Sequence, residues 1–355
     1  AAVAESSQRI HENILDVLRS RGLVEQVTGD AEGKELKELC DKTSIAAYVG
    51  FDPTADSLHL GNLLGILVLR WFQRCGHIPI ALIGGATGKV GDPSGKSSER
   101  PVLDDATIQR NVEGIKANIQ QVLTSEPGLP EPIFVNNYDW IGPMSFLGFL
   151  RDVGKFARVG TMMAKDSVKN RLGADGEGMS FTEFTYQLLQ AYDFVHLNRA
   201  HKVRIQMGGS DQWGNITAGI DLARRLEVPD QLHALTFPLL VKADGKKFGK
   251  SESGAIWLSK DKLSPYEFYQ HLFKITDSDV IHFLKKLTFL PLERIQEIEN
   301  EMLNSKDYVP NTAQRILAEE ITRIVHGEQG LRAAIAATQV AAPGKDAELD
   351  AATLE

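Results

Sequence analysis

Ser44-Ile45-Ala46-Ala47-Tyr48-Val49-Gly50-Phe51-Asp52-Pro53 is the stretch on which the fold turns. It is apolar and strand-prone until Asp52-Pro53 stops it, because the residue before a proline is pushed away from helix. An apolar helix pattern follows from Leu60 to about Cys75, then a second strand, Ile78–Ile83, ending in Gly84-Gly85. Strand, helix and strand with such short connections make a parallel α/β unit. Working outward, further strands are predicted at Ile133–Val135, Val203–Met207 and Leu235–Val241. Helical patterns lie between them, notably Phe181–Val195 and Asp211–Arg225. The reading is α/β, a doubly wound parallel sheet. Upstream, residues 6–21 predict an amphipathic helix with Ile10, Ile14, Val17 and Leu18 on one face, within an N-terminal helical segment 1–43. After about Lys262 the pattern is helix alone, over Pro265–Lys274, Leu292–Leu303 and Asn311–His326. A domain boundary is expected within 255–265, with a smaller all-helical domain over 262–340 and a linker over 341–355.

The chain has 355 residues, 43% hydrophobic and 24% charged, enough to bury an ordinary core without staples. Two cysteines, Cys40 and Cys75, with no CxxC or HExxH, argue against a disulfide framework or a structural zinc site. Apolar runs such as Leu63–Leu69 are too short to span a bilayer, so no membrane role is expected and the cell interior is the default compartment. The net charge of −8 is wrong for a protein living on nonspecific phosphate contacts. Any nucleic-acid role must come from a local site.

Three stretches could carry chemistry. Gly84-Gly85-Ala86-Thr87-Gly88-Lys89-Val90-Gly91-Asp92-Pro93-Ser94-Gly95-Lys96-Ser97 invites a phosphate-loop reading, but Val90 stands where a Walker A loop needs its first Gly. A flexible surface loop is the bland alternative, although strand ends are where α/β sheets bind ligands. Tyr48 to Asn62 joins the first strand to the first helix, with Asp52, Thr54, His59 and Gly61 close together. A His ahead of a helix start can donate to a phosphate, aided by unpaired helix amides, and Gly61 lets a flat ligand approach the backbone. Alone, His59 reads as an ordinary helix-start residue. Lys242 to Ser251 packs lysines among glycines, which suits either a solvated turn or a mobile loop closing ammonium groups on a polyphosphate.

His59-Leu60-Gly61-Asn62 resembles the HIGH signature of class I aminoacyl-tRNA synthetases, and Lys247-Phe248-Gly249-Lys250-Ser251 resembles their KMSKS signature. With Tyr48–Asp56, the loop 84–100, Phe181–Phe194 and Gln206–Asn215, the resemblance narrows to bacterial-type tyrosyl-tRNA synthetases over roughly residues 6–340. Asn62 departs from the motif's second His, and Val49 stands where many relatives carry Cys. The resemblance implies a Rossmann-like catalytic domain over 44–261 with a helical connective insert at about 125–180, and an anticodon-side helical domain. It also implies a basic RNA-binding domain after the helices, and nothing like it is read before Glu355.

The resemblance further implies that Tyr48 and Asp193 hold the phenolic hydroxyl of tyrosine, while Asp92, Tyr186 and Gln190 hold its ammonium group and Gln206 faces the same amino acid. Tyr186, Gln190 and Asp193 are spaced i, i+4, i+7, so one helix can present all three. Thr54 and His59 would meet the γ-phosphate end of ATP. Gly50, Gly61 and Asn62 would pack near its ribose and adenine, Gly209, Asp211 and Gln212 along the adenylate, and Asp52 near the α-phosphate. Lys96, Arg100, Lys247, Lys250 and Ser251 would close on the leaving pyrophosphate. The expected substrates are L-tyrosine, ATP with Mg2+, and tRNA(Tyr), in a homodimer of the bacterial cytoplasm or an organellar matrix or stroma. A tryptophanyl-type synthetase or another nucleotidyl transferase is the nearest rival, and an idle RNA-binding protein on the same body is a rival of another class.

Overall fold

The computed structural model describes residues 10–30, 32–94, 98–101, 103–173, 178–243, 245, 248–251 and 254–340. In chain order the elements are α1 (Ile14–Ser20), β1 (Gln26–Val27), α2 (Lys34–Lys42), β2 (Ala46–Phe51), α3 (Leu60–Arg74), β3 (Ile78–Ile83), α4 (Asp105–Val122) and β4 (Ile133–Asn136). Four short helices follow, α5 (Tyr138–Ile141), α6 (Phe146–Asp152), α7 (Val159–Met163) and α8 (Asp166–Leu172). Then come α9 (Phe181–His201), β5 (Val203–Gly209), α10 (Trp213–Arg225), β6 (His233–Phe237), β7 (Lys250–Ser251) and β8 (Gly254–Ala255). Helices α11 (Pro265–Phe273), α12 (Asp277–Leu287), α13 (Leu292–Asn304) and α14 (Thr312–Val340) complete the chain.

The main sheet runs β1-β6-β5-β2-β3-β4. Strands β2 to β6 pair in parallel, while the two-residue β1 is an antiparallel edge on β6 that the sequence reading did not foresee. Chain order reverses between β2 and β5, and such a switch point opens a crevice at the carboxyl ends of the strands. Alternation along β2 divides the core. Ala47, Val49 and Phe51 go to the face covered by α3, and Ala46 and Tyr48 go to the face covered by Phe194 and Leu222. Helix α3 is buried almost all round: the apolar run Leu63–Leu69 fills the core, and Arg70 and Gln73 are buried with hydrogen bonds to the carbonyls of Thr124 and Pro130.

Several expectations shift. The strand expected at Leu235–Val241 is His233–Phe237, because Pro238 offers no N–H to continue the ladder. The helix expected over 6–21 begins only at Ile14, where the Asn13 side chain accepts the Leu15 N–H and starts it, so Ile10 lies ahead of the helix and not on its apolar face; residues 6–9 lie outside the described residues. Helix α9 continues past Val195 to His201, and the helix expected at Asn311–His326 continues to Val340 through a bend at Gly327. Strand β4 falls inside the expected insert yet belongs to the main sheet. Helix α4 has no counterpart in the sequence reading, α2 and α12 lie within the helical stretches expected over 1–43 and 262–340 but without bounds of their own, and the linker 341–355 lies outside the described residues. Among the described residues no helix is long and apolar enough to cross a membrane.

Candidate active site

A cleft of about 450 Å³ opens at the carboxyl ends of β2 and β5. It gathers Tyr48, Gly50, Asp52, Thr54, His59, Gly61 and Asn62 from β2 and the turn into α3. Asp92 and Arg100 enter from the loop after β3, and Tyr186, Gln190 and Asp193 from one face of α9. Gln206, Gly209, Asp211 and Gln212 come from β5 and the turn beyond it. Lys96 and Lys247 lie outside the described residues, and for Lys250 and Ser251 only the backbone is described, as β7 paired with β8. The lysine loop begins at the cleft edge, where Phe248 is buried and stacks on Phe283 with ring centroids 4.1 Å apart.

At one end Tyr48 and Asp193 are both buried. The Tyr48 hydroxyl has no hydrogen-bond partner among the described residues, and neither has Gln206 Oε1. The Tyr48 ring packs edge-on against Phe194, with centroids 5.6 Å apart. Asp193 Oδ2 accepts from Asn137 Nδ2 at 3.0 Å and Oδ1 from Trp140 Nε1 at 2.9 Å. Burial pushes the Asp193 carboxyl up to about 8, against the pull of those two donors. Asn137 is fully buried and works twice more, donating to Thr87 Oγ1 at 3.0 Å and accepting the Ala86 N–H at 2.7 Å.

Next along the cleft, Asp52 accepts from Thr87 Oγ1 at 2.7 Å and from the Tyr186 hydroxyl at 2.8 Å. Burial raises its carboxyl to about 6 although both hydrogen bonds favour the ionised form. A Cβ on Gly84 would stand 2.1 Å from Asp52 Oδ1, so only glycine lets β3 end this close. Asp92 Oδ1 accepts the Ser94 N–H at 2.9 Å and Oδ2 accepts Gln212 Nε2 at 2.9 Å. Gln190 Oε1 accepts from Asn215 Nδ2 at 3.1 Å. At the start of α9, a buried ion pair joins Arg171 to Glu183 at 2.6 Å.

At the other end His59 caps α3. Its Nδ1 accepts the Gly61 N–H at 3.1 Å, and Asn62 Oδ1 accepts the His59 N–H at 3.1 Å. An accepting Nδ1 puts the neutral ring's proton on Nε2, which fixes the tautomer. Asn62, the departure from the HIGH signature, thus shapes the turn that presents His59. Thr87, Asn137, Trp140 and Asn215 were not singled out from sequence. Thr87 and Asn215 fall inside the quoted stretches 84–97 and 206–215, while the one prior signal for Asn137 and Trp140 was position just beyond a predicted strand.

The family described as tRNA synthetases class I (W and Y) matches residues 41–341. The chloroplastic/mitochondrial tyrosine--tRNA ligase of Arabidopsis thaliana is 58% identical over 344 residues, which are 95% of this chain and 66% of that one. The tyrosine--tRNA ligase of Protochlamydia amoebophila is 54% identical over 343 residues, 97% of this chain and 79% of its own. A C-terminally truncated mitochondrial tyrosyl-tRNA synthetase from Aspergillus nidulans superposes with a TM-score of 0.81 at 31% identity, over 92% of this chain and 94% of the other. The chain therefore belongs to the class I tRNA synthetases of the W and Y family. Within that family it is of the tyrosyl type found in bacteria and organelles. It spans about two thirds of the Arabidopsis relative's length.

Proposed function

We propose that this chain activates L-tyrosine with ATP and passes the tyrosyl group to the 3′ end of tRNA(Tyr). The observation that carries the tyrosine assignment is the buried Tyr48 hydroxyl, which has no partner among the described residues, at the same pocket end as the buried carboxyl of Asp193. A phenol can donate to Asp193 and accept from Tyr48, whereas an aromatic side chain without a hydroxyl leaves the buried Tyr48 hydroxyl unmet. Asp92 and Gln190 offer oxygens that can accept from an ammonium ion, and Tyr186, held by Asp52, completes that wall.

The reaction needs no covalent enzyme intermediate. The tyrosine carboxylate attacks the α-phosphorus in line, the bond to the bridging oxygen breaks, and pyrophosphate leaves. A hydroxyl at the tRNA end then takes the tyrosyl group and AMP is released. What the chain supplies is position and fixed charge. Thr54 and His59 meet the phosphates, Gly50, Gly61 and Asn62 pack near ribose and adenine, and Gly209, Asp211 and Gln212 line the adenylate. Lys96, Arg100, Lys247, Lys250 and Ser251 close on the pyrophosphate. Magnesium is proposed to arrive with ATP, held by phosphate oxygens and water and neutralising phosphate charge. Among the described residues no group of three or more His, Cys, Asp or Glu side chains could hold a metal ion, so the ion's ligands are assigned to the nucleotide and water.

A homodimer is part of the proposal. Eight of the twelve large apolar side chains exposed among the described residues fall within 138–181, with Phe146 65% and Leu147 76% exposed. Apolar exposure gathered in one segment marks an interaction surface. The bacterial cytoplasm or an organellar matrix or stroma is the proposed compartment. Pyrophosphate–ATP exchange with each amino acid in turn tests the activity: tyrosine alone should support it, and tryptophan-dependent exchange or none would overturn the reading.

A further inference from the structure

Helix α4 turns an unusual face to the loop between β2 and α3. Asn111, Gly114 and Asn118 are spaced i, i+3, i+7, so they share one side, and all three are poor helix formers. Each is engaged with the loop that leads from β2 into His59. Asn111 Nδ2 donates to the Pro53 carbonyl at 2.9 Å. Asn118 Oδ1 accepts the Leu58 N–H at 2.8 Å and lies 3.0 Å from the Ser57 hydroxyl, whose proton it shares with the Leu58 carbonyl at 2.8 Å. A Cβ on Gly114 would stand 1.9 Å from the Asp56 carbonyl oxygen, so the loop lies directly on the helix backbone. Both asparagines are buried.

The loop in turn holds the strand beyond the lysine loop. Ser57 Oγ accepts the Ser259 N–H at 3.1 Å. Leu258 N–H donates to the Leu58 carbonyl at 2.9 Å, and Leu60 N–H to the Ile256 carbonyl at 2.7 Å. Residues 256–259 follow β8, which pairs with β7 of the KFGKS stretch. One helix face therefore anchors both signature segments.

We propose that Asn111, Gly114 and Asn118 are positioning residues for the ATP half of the site. They touch no substrate. They fix the loop that carries Thr54 and His59, and through Ser57 they fix the register of the segment behind the lysine loop. The inference rests on the proposed tyrosine activation. It separates the two substrates: Asp193 and Gln190 sit on α9, and the anchored loop meets that helix through the Asp52–Tyr186 hydrogen bond, so tyrosine binding should feel the change far less than the ATP step.

The atoms involved give a pattern that general destabilisation does not. Asn118 acts as an acceptor, so Asn118→Asp keeps both bonds, while the near-isosteric Asn118→Leu leaves the Leu58 N–H unpaired. Asn111 acts as a donor, so Asn111→Asp sets a carboxylate against a carbonyl, and Asn111→Ala removes the bond without adding charge.

The test measures single-turnover adenylate formation against ATP concentration, beside equilibrium tyrosine binding, in the full chain. Asn118→Leu and Asn111→Asp are expected to slow adenylate formation at fixed ATP by about 10²-fold, the usual penalty for an ångström of misplacement. Tyrosine affinity should change far less, and Asn118→Asp should recover most of the rate. Should Asn118→Leu fail to fold, Asn111→Ala decides, with the same ATP-specific defect in milder form. Equal behaviour of the Leu and Asp variants at 118, an equal loss of tyrosine binding, or wild-type ATP kinetics in Asn111→Ala would overturn the proposal. Wild-type protein inactive with tyrosine would instead overturn the reading beneath it.

Discussion

Asn137 Nδ2 lies 3.0 Å from Asp193 Oδ2 and equally close to Thr87 Oγ1, which donates to Asp52. A single buried amide thus ties the carboxylate at the phenol end of the cleft to the carboxylate in its middle. Removing it strands an oxygen of Asp193 and the Ala86 N–H in a dry site. Asn137→Ala should therefore weaken tyrosine binding by about 1–3 kcal/mol, the cost of leaving a buried polar group unpaired. Phenylalanine has no hydroxyl to be gripped, so its much weaker activation should change less. Asp193→Ala should widen that contrast, and equal losses on both amino acids would count against the assignment.

The lysines of the KFGKS stretch should act at a different stage. Their partner charge develops on the leaving pyrophosphate, so they stabilise the transition state more than the bound substrate. Lys247→Ala and Lys250→Ala should each cost roughly 2–4 kcal/mol in the rate of adenylate formation. Tyrosine affinity should barely move. Pre-steady-state kinetics that placed the defect wholly in tyrosine binding would reject this role.

The sheet was legible where sequence and environment agree. Strands β2 and β3 and the Leu63–Leu69 run of helix α3 are apolar, and the three elements are bounded by Asp52-Pro53, Gly76 and Gly84-Gly85, so pattern alone finds them. Helix α4 was missed because asparagines, a glycine and a threonine dilute its apolar stripe, and the structure shows that two of those asparagines and the glycine face a loop. Strand β1 is two residues long and exists only through its pairing with β6. In the cleft, the stripe Tyr186, Gln190, Asp193 could be read from helical spacing. Asn137 and Trp140 could not, because they reach Asp193 across 56 and 53 residues of sequence, through the fold alone.

The exposed segment of short helices carries its own prediction. Phe146 and Leu147 open α6, Val159 opens α7 and Phe181 opens α9. If a second copy covers this surface, Phe146→Asp with Leu147→Asp should convert dimer to monomer in analytical ultracentrifugation. The fold should persist, since neither side chain belongs to the core clusters. A wild-type chain already monomeric at micromolar concentration would sink the idea.

Burial holds the Asp193 carboxyl at about 8, against an ordinary value of 3.8, and Asp52 at about 6. Between the ordinary value and the raised one, the folded chain keeps a proton that the unfolded chain has lost. Stability therefore falls as pH rises through that window and levels off above the raised value. For Asp52 the fall ends near pH 6, and for Asp193 it continues to about pH 8. Asp193→Asn removes the second part of this slope. The melting temperature of the variant minus that of the wild type should climb with pH up to about 8 and then stay flat, whatever its sign at the start. Tyrosine adds a second handle. A phenol donating to Asp193 favours the carboxylate, so binding near pH 7 should release protons from the wild type and none from Asp193→Asn. Titration calorimetry in two buffers of different ionisation heat reads this directly. A pH-independent melting difference together with no proton release would mean that Asp193 is already ionised in the free cleft.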